Sequence, residues 1–382
     1  MAAIRVVLTI DSLKLGGAER VLLQWARWCR DEGWQVVVIT RQGPEQDAYP
    51  VPVGVQRWVE PPLAPWLRWL GWFAFPLRVL ALRQLLLRHR TDLAIGVTTL
   101  PAVKLLLASA GLPLRTVVSE RNYPPAKPPA PPWRWLRRCT YPWADLHWVQ
   151  TRLTGQWLRQ HCGVGRQQLV PNPVTWPLPD REPLVAPDDW LAPEHPLILA
   201  AGTKARQKGF DRLMPVFATL ACRHPGLHLA LLGLAPGSYK GLDQQSWLRQ
   251  LLGNQPDLQK RLLLPGVSGS MARWYSRATV FVLPSRFEGF PNVLLEAMAA
   301  GCACIASDCL TGPADLICDG DNGLLLPMEA TTNDWVEAIS SLLEDPDRRQ
   351  RLGERARLVR ERYAEERLRR DCLEALRQLC HG

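Results

Sequence analysis

The stretch Ser285-Arg286-Phe287-Glu288-Gly289-Phe290-Pro291-Asn292-Val293-Leu294-Leu295-Glu296-Ala297-Met298-Ala299-Ala300-Gly301 most limits the folds open to this chain. It follows an apolar run, Ala278 to Pro284, that reads as a parallel strand covered on both faces, because such strands show no polar alternation. Pro291 suits the first helical positions, where a missing N–H costs nothing. Asn292 suits the cap and Gly301 the residue just past the end. The spacing therefore predicts a strand, a Gly/Pro turn and a short helix from Asn292 to Ala300. Free N–H groups at that helix start form an anion site suited to a phosphate. Glu288 lies in the turn and Glu296 about one helical turn in. Carboxylates repel a bound phosphate, so their place here makes sense if they hold hydroxyl groups of a ribose and a sugar.

The E-x7-E pattern of Glu288 and Glu296, with its preceding strand, G-x-P turn and following Cys302-to-Ser307 strand, resembles the family 4 glycosyltransferases, which have the GT-B fold. The likeness runs over nearly the whole chain. It implies an α/β protein of two Rossmann-like, doubly wound domains facing across a cleft. Residues 1–174 would form the acceptor-binding domain, with the C-terminal helix 363–382 packed back on it. Residues 175–362 would bind a nucleotide-sugar donor, UDP- or GDP-linked.

Other motifs carry the same resemblance. Leu15-Gly16-Gly17-Ala18-Glu19-Arg20, after a first strand Ile4 to Ile10, is similar to the donor-facing loop of these enzymes and implies donor contacts for Gly16 and Gly17. Ser119-Glu120-Arg121-Asn122-Tyr123-Pro124 follows a strand end, where open α/β sheets bind ligands. It resembles a bacterial branch that assembles polysaccharides and lipid-linked oligosaccharides, and implies acceptor contacts for Glu120, Arg121 and Asn122. Arg121 stands where many members have histidine. Gly202-Thr203-Lys204-Ala205-Arg206-Gln207-Lys208-Gly209 follows the strand Leu197 to Ala201, and its two lysines can converge on one anion. In the family's usual G-R-x3-K-G, Lys204 takes the arginine place and Lys208 matches. Their implied role is to bind the donor diphosphate and neutralise it as it leaves, with Lys204 a point charge rather than a fork. Gly266 and Val267 match a segment that contacts the base through backbone. The resemblance extends the donor site to Gly202, Gly289, Phe290, Pro291, Asn292 and Val293. It makes Glu288, Lys208 and Lys204 the catalytic set, in a retaining transfer to a glycan or polyprenyl-diphosphate-linked acceptor, with no metal and no cofactor.

Composition narrows the partners. At 382 residues and 47% hydrophobic the chain suits two α/β domains with substantial cores. The net charge of +10 favours acidic partners such as nucleotide diphosphates or anionic lipid. Its lysines and arginines are scattered, which argues against nucleic acid. Trp58, Trp66, Trp69, Trp72, Phe73 and Phe75 cluster with Arg68, Arg78, Arg83, Arg88 and Arg90, and Trp133-Arg134-Trp135-Leu136-Arg137-Arg138 repeats the theme. Tryptophan with arginine is the composition of a membrane interface. No run of about 20 apolar residues spans a bilayer. The N-terminus does not read as a signal peptide, since Arg5 and Asp11 interrupt a short apolar run. We therefore expect a cytoplasmic protein in peripheral contact with the cytoplasmic face of the inner membrane. Ten cysteines include no CxxC pair. Cys302 and Cys304 read as small core residues on opposite faces of a strand, not metal ligands. A nucleotide-sugar epimerase or hydrolase of this fold, or a non-catalytic sugar-nucleotide-binding scaffold, are the competing readings. The aromatic–basic patches argue against the first, and the intact E-x7-E with both lysines against the second.

Overall fold

A computed structural model of the chain describes residues 3–14, 16–62, 74–235, 237–239 and 241–381. Trp66, Arg68, Trp69, Trp72 and Phe73 lie outside the described residues. The chain divides into two compact units, Met1–Asn172 with Glu366–Gly382, and Pro173–Glu365.

The first unit is built on a seven-stranded sheet: β1 Arg5–Ile10, β2 Gln35–Thr40, β3 Gln56–Val59, β4 Leu93–Val97, β5 Arg115–Glu120, β6 Leu146–Val149 and β7 Gln167–Leu169. Their order is β3-β2-β1-β4-β5-β6-β7, with every pairing parallel. The central strands read as unbroken apolar runs because helices cover both faces. Leu8 and Ile10 pack with Val21, Leu22 and Trp25 on one side, while Val7 and Ile39 meet Leu82 and Leu86 on the other. The last helix, Glu365–His381, completes the first of these cores through Leu368, Cys372, Leu373, Leu376 and Leu379. The edge strands β3 and β7 escape sequence reading. They are three or four residues long and only half-buried, so neither an apolar run nor a clear alternation marks them. The proline-rich stretch Tyr123 to Pro132, whose composition suggests a stiff loop, gives way to a helix at Pro131, Pro131–Thr140, because proline fits a helix's first turn.

The second unit holds β8 Leu197–Ala201, β9 His228–Leu232, a small antiparallel pair β10 Ser238–Tyr239 and β11 Leu242–Asp243, then β12 Leu262–Gly266, β13 Val280–Leu283, β14 Cys304–Ser307 and β15 Leu324–Leu326. The main sheet runs β12-β9-β8-β13-β14-β15, all parallel. In unit order this is third, second, first, fourth, fifth, sixth, the doubly wound arrangement that binds ligands beyond the strand ends where the winding reverses. The reversal lies between β8 and β13. Ile198, Ala200, Val280 and Val282 face one core, and Leu197, Leu199, Phe281 and Leu283 the other. Cys302 and Cys304 share that second core, which corrects their assignment to opposite faces of one strand: β14 begins only at Cys304, and Cys302 lies in the loop before it. The helix Asn292–Ala300 has the expected bounds and ends at Gly301, but Pro291 occupies the cap and Asn292 the first helical position.

His147, on β6, shows what the first unit's core demands. It is 1% exposed, both ring nitrogens lack a partner, and its ring lies 5.5 Å from that of Tyr141. Burial pushes its pKa down to about 4, against an unfolded value of about 6.5. As pH falls below the unfolded value, the unfolded chain takes up a proton that the folded chain refuses. Stability from this group is thus full above pH ~6.5 and is lost progressively down to pH ~4, by up to about 3 kcal/mol. Urea unfolding of wild type and His147→Phe at pH 7.0, 5.5 and 4.5 should show a steeper acid loss in wild type. Parallel pH profiles would remove His147 as the cause.

Candidate active site

Two loops leave the sheet of the second unit on either side of its winding reversal, and their side chains meet. After β8, the short helix Ala205–Lys208 carries Lys208 at its end. After β13, the turn Ser285–Gly289 carries Glu288. The Lys208 Nζ donates to Glu288 Oε1 at 2.6 Å, and the two side chains are 14% and 6% exposed. The Ser285 hydroxyl donates to the same Oε1, also at 2.6 Å. A pair this enclosed is costly to break by removing one member, about 3–5 kcal/mol, because the other is left uncompensated.

The surrounding backbone makes room for this contact. Gly209 has φ of 70°, and a Cβ there would lie 2.0 Å from the Pro284 carbonyl oxygen, so the loop after β8 rests directly on the end of β13. The aliphatic stem of Lys208 crosses the α-carbon of Gly202, where a Cβ would sit 2.5 Å from Lys208 Cγ. Three strand ends close in here. The Gly202 N–H donates to Leu232 O at 2.9 Å, and the Gly233 N–H to Gly266 O at 2.7 Å. Gly202, Gly233 and Gly266 thus bare backbone at the carboxyl edge of β8, β9 and β12, with Val267 half-buried beyond. Arg286 anchors the turn by a two-pronged pair with Asp211, at 2.7 and 2.6 Å. Lys204 caps the short helix, half-exposed, with no ion pair among the described residues. It stands on the same loop as Lys208 without sharing its partner.

The helix start expected to offer free N–H groups is narrower than that. The Asn292 N–H donates to Phe290 O at 3.1 Å, and those of Leu294 and Leu295 to Pro291 O. Val293 is left as the first-turn N–H with no acceptor among the described residues. Local 3-10-type bonding, which tightens a helix end, accounts for the difference. Farther along, Glu296 Oε2 accepts from the Tyr275 hydroxyl at 3.2 Å, and Glu296 is half-buried. Ser285, Ser307 and Thr311 were missed by sequence reading, yet all three hold this turn. Thr311 Oγ1 donates to Glu288 O at 2.5 Å, and Ser307 Oγ to Ser285 O at 2.6 Å. The S-x-x-E spacing of Ser285 and Glu288 was the available signal for the first. Two D-x-D sequences, Asp319-Gly320-Asp321 and Asp345-Pro346-Asp347, are local structure: Asp319 accepts from Leu325 N, and Asp345 caps the helix Pro346–Ala356.

In the first unit, Gly16 caps the helix Gly17–Asp31 in extended conformation, and the Glu19 carboxylate lies over its α-carbon. Glu120 ends β5 but is turned inward at 2% exposure. Its Oε2 accepts from the hydroxyls of Tyr141 at 2.9 Å and Thr99 at 3.0 Å, with Arg137 at 4.0 Å. Burial raises its pKa, partly offset by Arg137 and these two hydroxyls. Its carboxylate is thus taken up by partners inside the first unit. Arg121 is 6% exposed, stacked 5.2 Å over Trp25, and donates to Asn172. Burial lowers its pKa to about 9. Asn122, next along, is half-buried.

The chain matches two family models. One, described as "Glycosyltransferase Family 4", covers residues 15–175, and the other, "Glycosyl transferases group 1", residues 187–359. An exopolysaccharide phosphotransferase of Streptomyces coelicolor is 30% identical over 72% of this chain and 27% of its own length. The Campylobacter jejuni N-acetylgalactosamine-N,N'-diacetylbacillosaminyl-diphospho-undecaprenol 4-alpha-N-acetylgalactosaminyltransferase is 26% identical over 49% of this chain and 48% of its own. The chain spans between about a quarter and a half of the length of the curated relatives it matches first. The Anabaena protein HepE, solved in complex with UDP, superimposes with a TM-score of 0.79 at 19% identity, over 98% of this chain and 100% of that one. The fold is GT-B, and the chain belongs to the family 4, or group 1, glycosyltransferases.

The packing of Lys208 on Gly202 predicts a non-additive pair. Gly202→Ala should destabilise the chain by about 1–3 kcal/mol by displacing the lysine from Glu288. In a Lys208→Ala background the same change should cost less, the part that remains being the strain of a side chain at the Gly202 φ of 158°, measured by urea unfolding. Equal costs in both backgrounds would mean that the lysine stem does not need the glycine.

Proposed function

We propose that this protein transfers a hexose or N-acetylhexosamine from a UDP- or GDP-sugar to a hydroxyl of a glycan or polyprenyl-diphosphate-linked acceptor, with retention at the anomeric carbon. The observation that carries the reading is the Lys208–Glu288 pair at the winding reversal of the second unit's sheet. That position is where doubly wound folds bind nucleotides. It brings together a cation for a diphosphate and a carboxylate for carbohydrate hydroxyls. The UDP complex of HepE and the diphospho-undecaprenol acceptor in the name of the Campylobacter relative support the donor and acceptor classes.

In the reaction, the bond between the anomeric carbon and the diphosphate breaks as the acceptor oxygen forms its own. The acceptor proton passes to the departing diphosphate. Charge gathers on that diphosphate, and Lys208, Lys204 and the Val293 N–H would stabilise it without a metal. Glu288 would hold the sugar's hydroxyls and Glu296 the ribose. Gly202, Gly266, Val267, Gly289 and Phe290 would let the nucleotide lie against backbone, and Gly16 and Gly17 would add donor contacts. Arg121 and Asn122 would serve the acceptor side.

Removing one such preorganised donor costs about 3 kcal/mol, or roughly a hundredfold in rate. Lys208→Met and Glu288→Ala should each lower transfer from the preferred nucleotide sugar by at least about that factor. The preferred donor is first chosen by thermal shift against UDP-, GDP- and ADP-sugars. Wild-type rates in either variant would refute the assignment. Activity should persist with a chelator present, and a loss restored by Mg²⁺ or Mn²⁺ would overturn the metal-free mechanism.

We also propose peripheral contact with the anionic cytoplasmic face of the inner membrane. Trp135 and Trp143 are 66% and 54% exposed beside exposed Arg134 and Arg138. No described helix is long and apolar enough to cross a bilayer. Trp135→Ser with Trp143→Ser, and separately Trp66→Ser, Trp69→Ser and Trp72→Ser together, should each weaken sedimentation with anionic liposomes. Unchanged binding in both sets would end the membrane reading.

A further inference from the structure

The two oxygens of Glu288 are not equivalent. Oε1 takes both the Lys208 ammonium and the Ser285 hydroxyl. Oε2 accepts no hydrogen bond among the described residues and is not one of the atoms sealed from solvent without a partner. The carboxylate is therefore held by one edge with the other turned outward. Its two holders differ in kind. Lys208 carries a charge, and a diphosphate arriving at this loop would compete with Glu288 for it. Ser285 is neutral and fully buried, and its single O–H is given to Glu288 whatever the charge nearby.

Ser285 is itself well placed to keep this geometry. Its carbonyl accepts from Ser307 Oγ at 2.6 Å, at the end of the neighbouring strand β14. The Glu288 carbonyl accepts from Thr311 at 2.5 Å, in the loop that follows β14. Gly312 in that loop presses against Pro291, where a Cβ would lie 2.5 Å from the proline Cδ. The turn is thus pinned on its main chain at both Ser285 and Glu288, and Ser285 ties the side chain to this frame.

We propose that Ser285 is a positioning residue for Glu288: it aims Oε2 at the hydroxyls of the donor's sugar and keeps it there when Lys208 turns to the diphosphate. The proposal rests on the donor-site reading above and adds a division of labour within it. Lys208 answers to the diphosphate, whereas Ser285 answers only to the sugar.

The test separates those two parts of the ligand. Wild type, Ser285→Ala and Ser285→Thr are titrated calorimetrically with UDP and GDP, and with UDP-glucose and GDP-mannose, and turnover of the preferred donor is measured. Ser285→Ala should keep nucleoside-diphosphate affinity within about twofold, while sugar-conjugate affinity or kcat falls about tenfold. Ser285→Thr, which keeps the hydroxyl, should recover most of the loss. In a Glu288→Gln background Ser285→Ala should add less than about twofold. Should Ser285→Ala not fold, Ser285→Cys, a weaker donor of nearly the same shape, carries the same comparison. An equal loss for UDP and UDP-glucose would mean a general structural role, and no loss at all would mean no role; either overturns the proposal while the donor site stands. A wild-type chain that binds none of the four ligands overturns the donor-site reading and this proposal with it.

Discussion

The ion pair between Lys208 and Glu288 is the contact on which the rest of the second unit's architecture bears. It joins two loops eighty residues apart in sequence, and the parallel sheet is what makes them neighbours. Strands β8 and β13 lie side by side although β9 and β12 intervene in the chain, so the loops after β8 and β13 emerge together at one edge. The cost of burying two charges there is met by good geometry and by the Ser285 hydroxyl, not by the pair alone. An arrangement of this kind adds little to stability relative to a packed apolar core. Its place at the sheet's winding reversal, where doubly wound folds bind ligands, is what marks it as a candidate site.

The first unit uses buried charge differently. Glu120, Arg137, Tyr141 and Thr99 form a closed cluster at the end of β5, and Arg121 lies buried over Trp25 on a side chain that reaches Asn172. The segment Ser119 to Asn122 reads in sequence as a run of polar side chains at a strand end, the usual place for a ligand. Neighbouring residues on a strand alternate in direction, however, and alternation sends the carboxylate and the guanidinium into separate interiors. The same letters that suggest a binding loop can therefore also build the interior beneath it.

Legibility followed burial. Strands covered on both faces, such as Arg5–Ile10 and Leu197–Ala201, were readable because their apolar runs have sharp Gly, Pro or polar ends. Edge strands β3 and β7 were not, since half-burial leaves no period to detect. Within the site, glycines and charged residues stood out by type. The hydroxyl residues Ser307 and Thr311 did not, because their importance lies in bonds to the main chain of a turn that is distant in sequence. Cys302 and Cys304 are small core residues as expected, but they share one core and only Cys304 lies on the strand.

By itself, the order of residues determined that this chain makes two parallel α/β units, that Asn292 to Ala300 is a helix behind a Gly/Pro turn, and that lysines and glutamates would gather near strand ends. Those are local properties, set by hydrophobic period, turn chemistry and capping within a few residues. Which lysine meets which glutamate, which oxygen of Glu288 is left open, and that Glu120 is turned inward were decided only by tertiary structure. Each depends on side-chain direction and on the juxtaposition of strands far apart in sequence, and no local pattern encodes either.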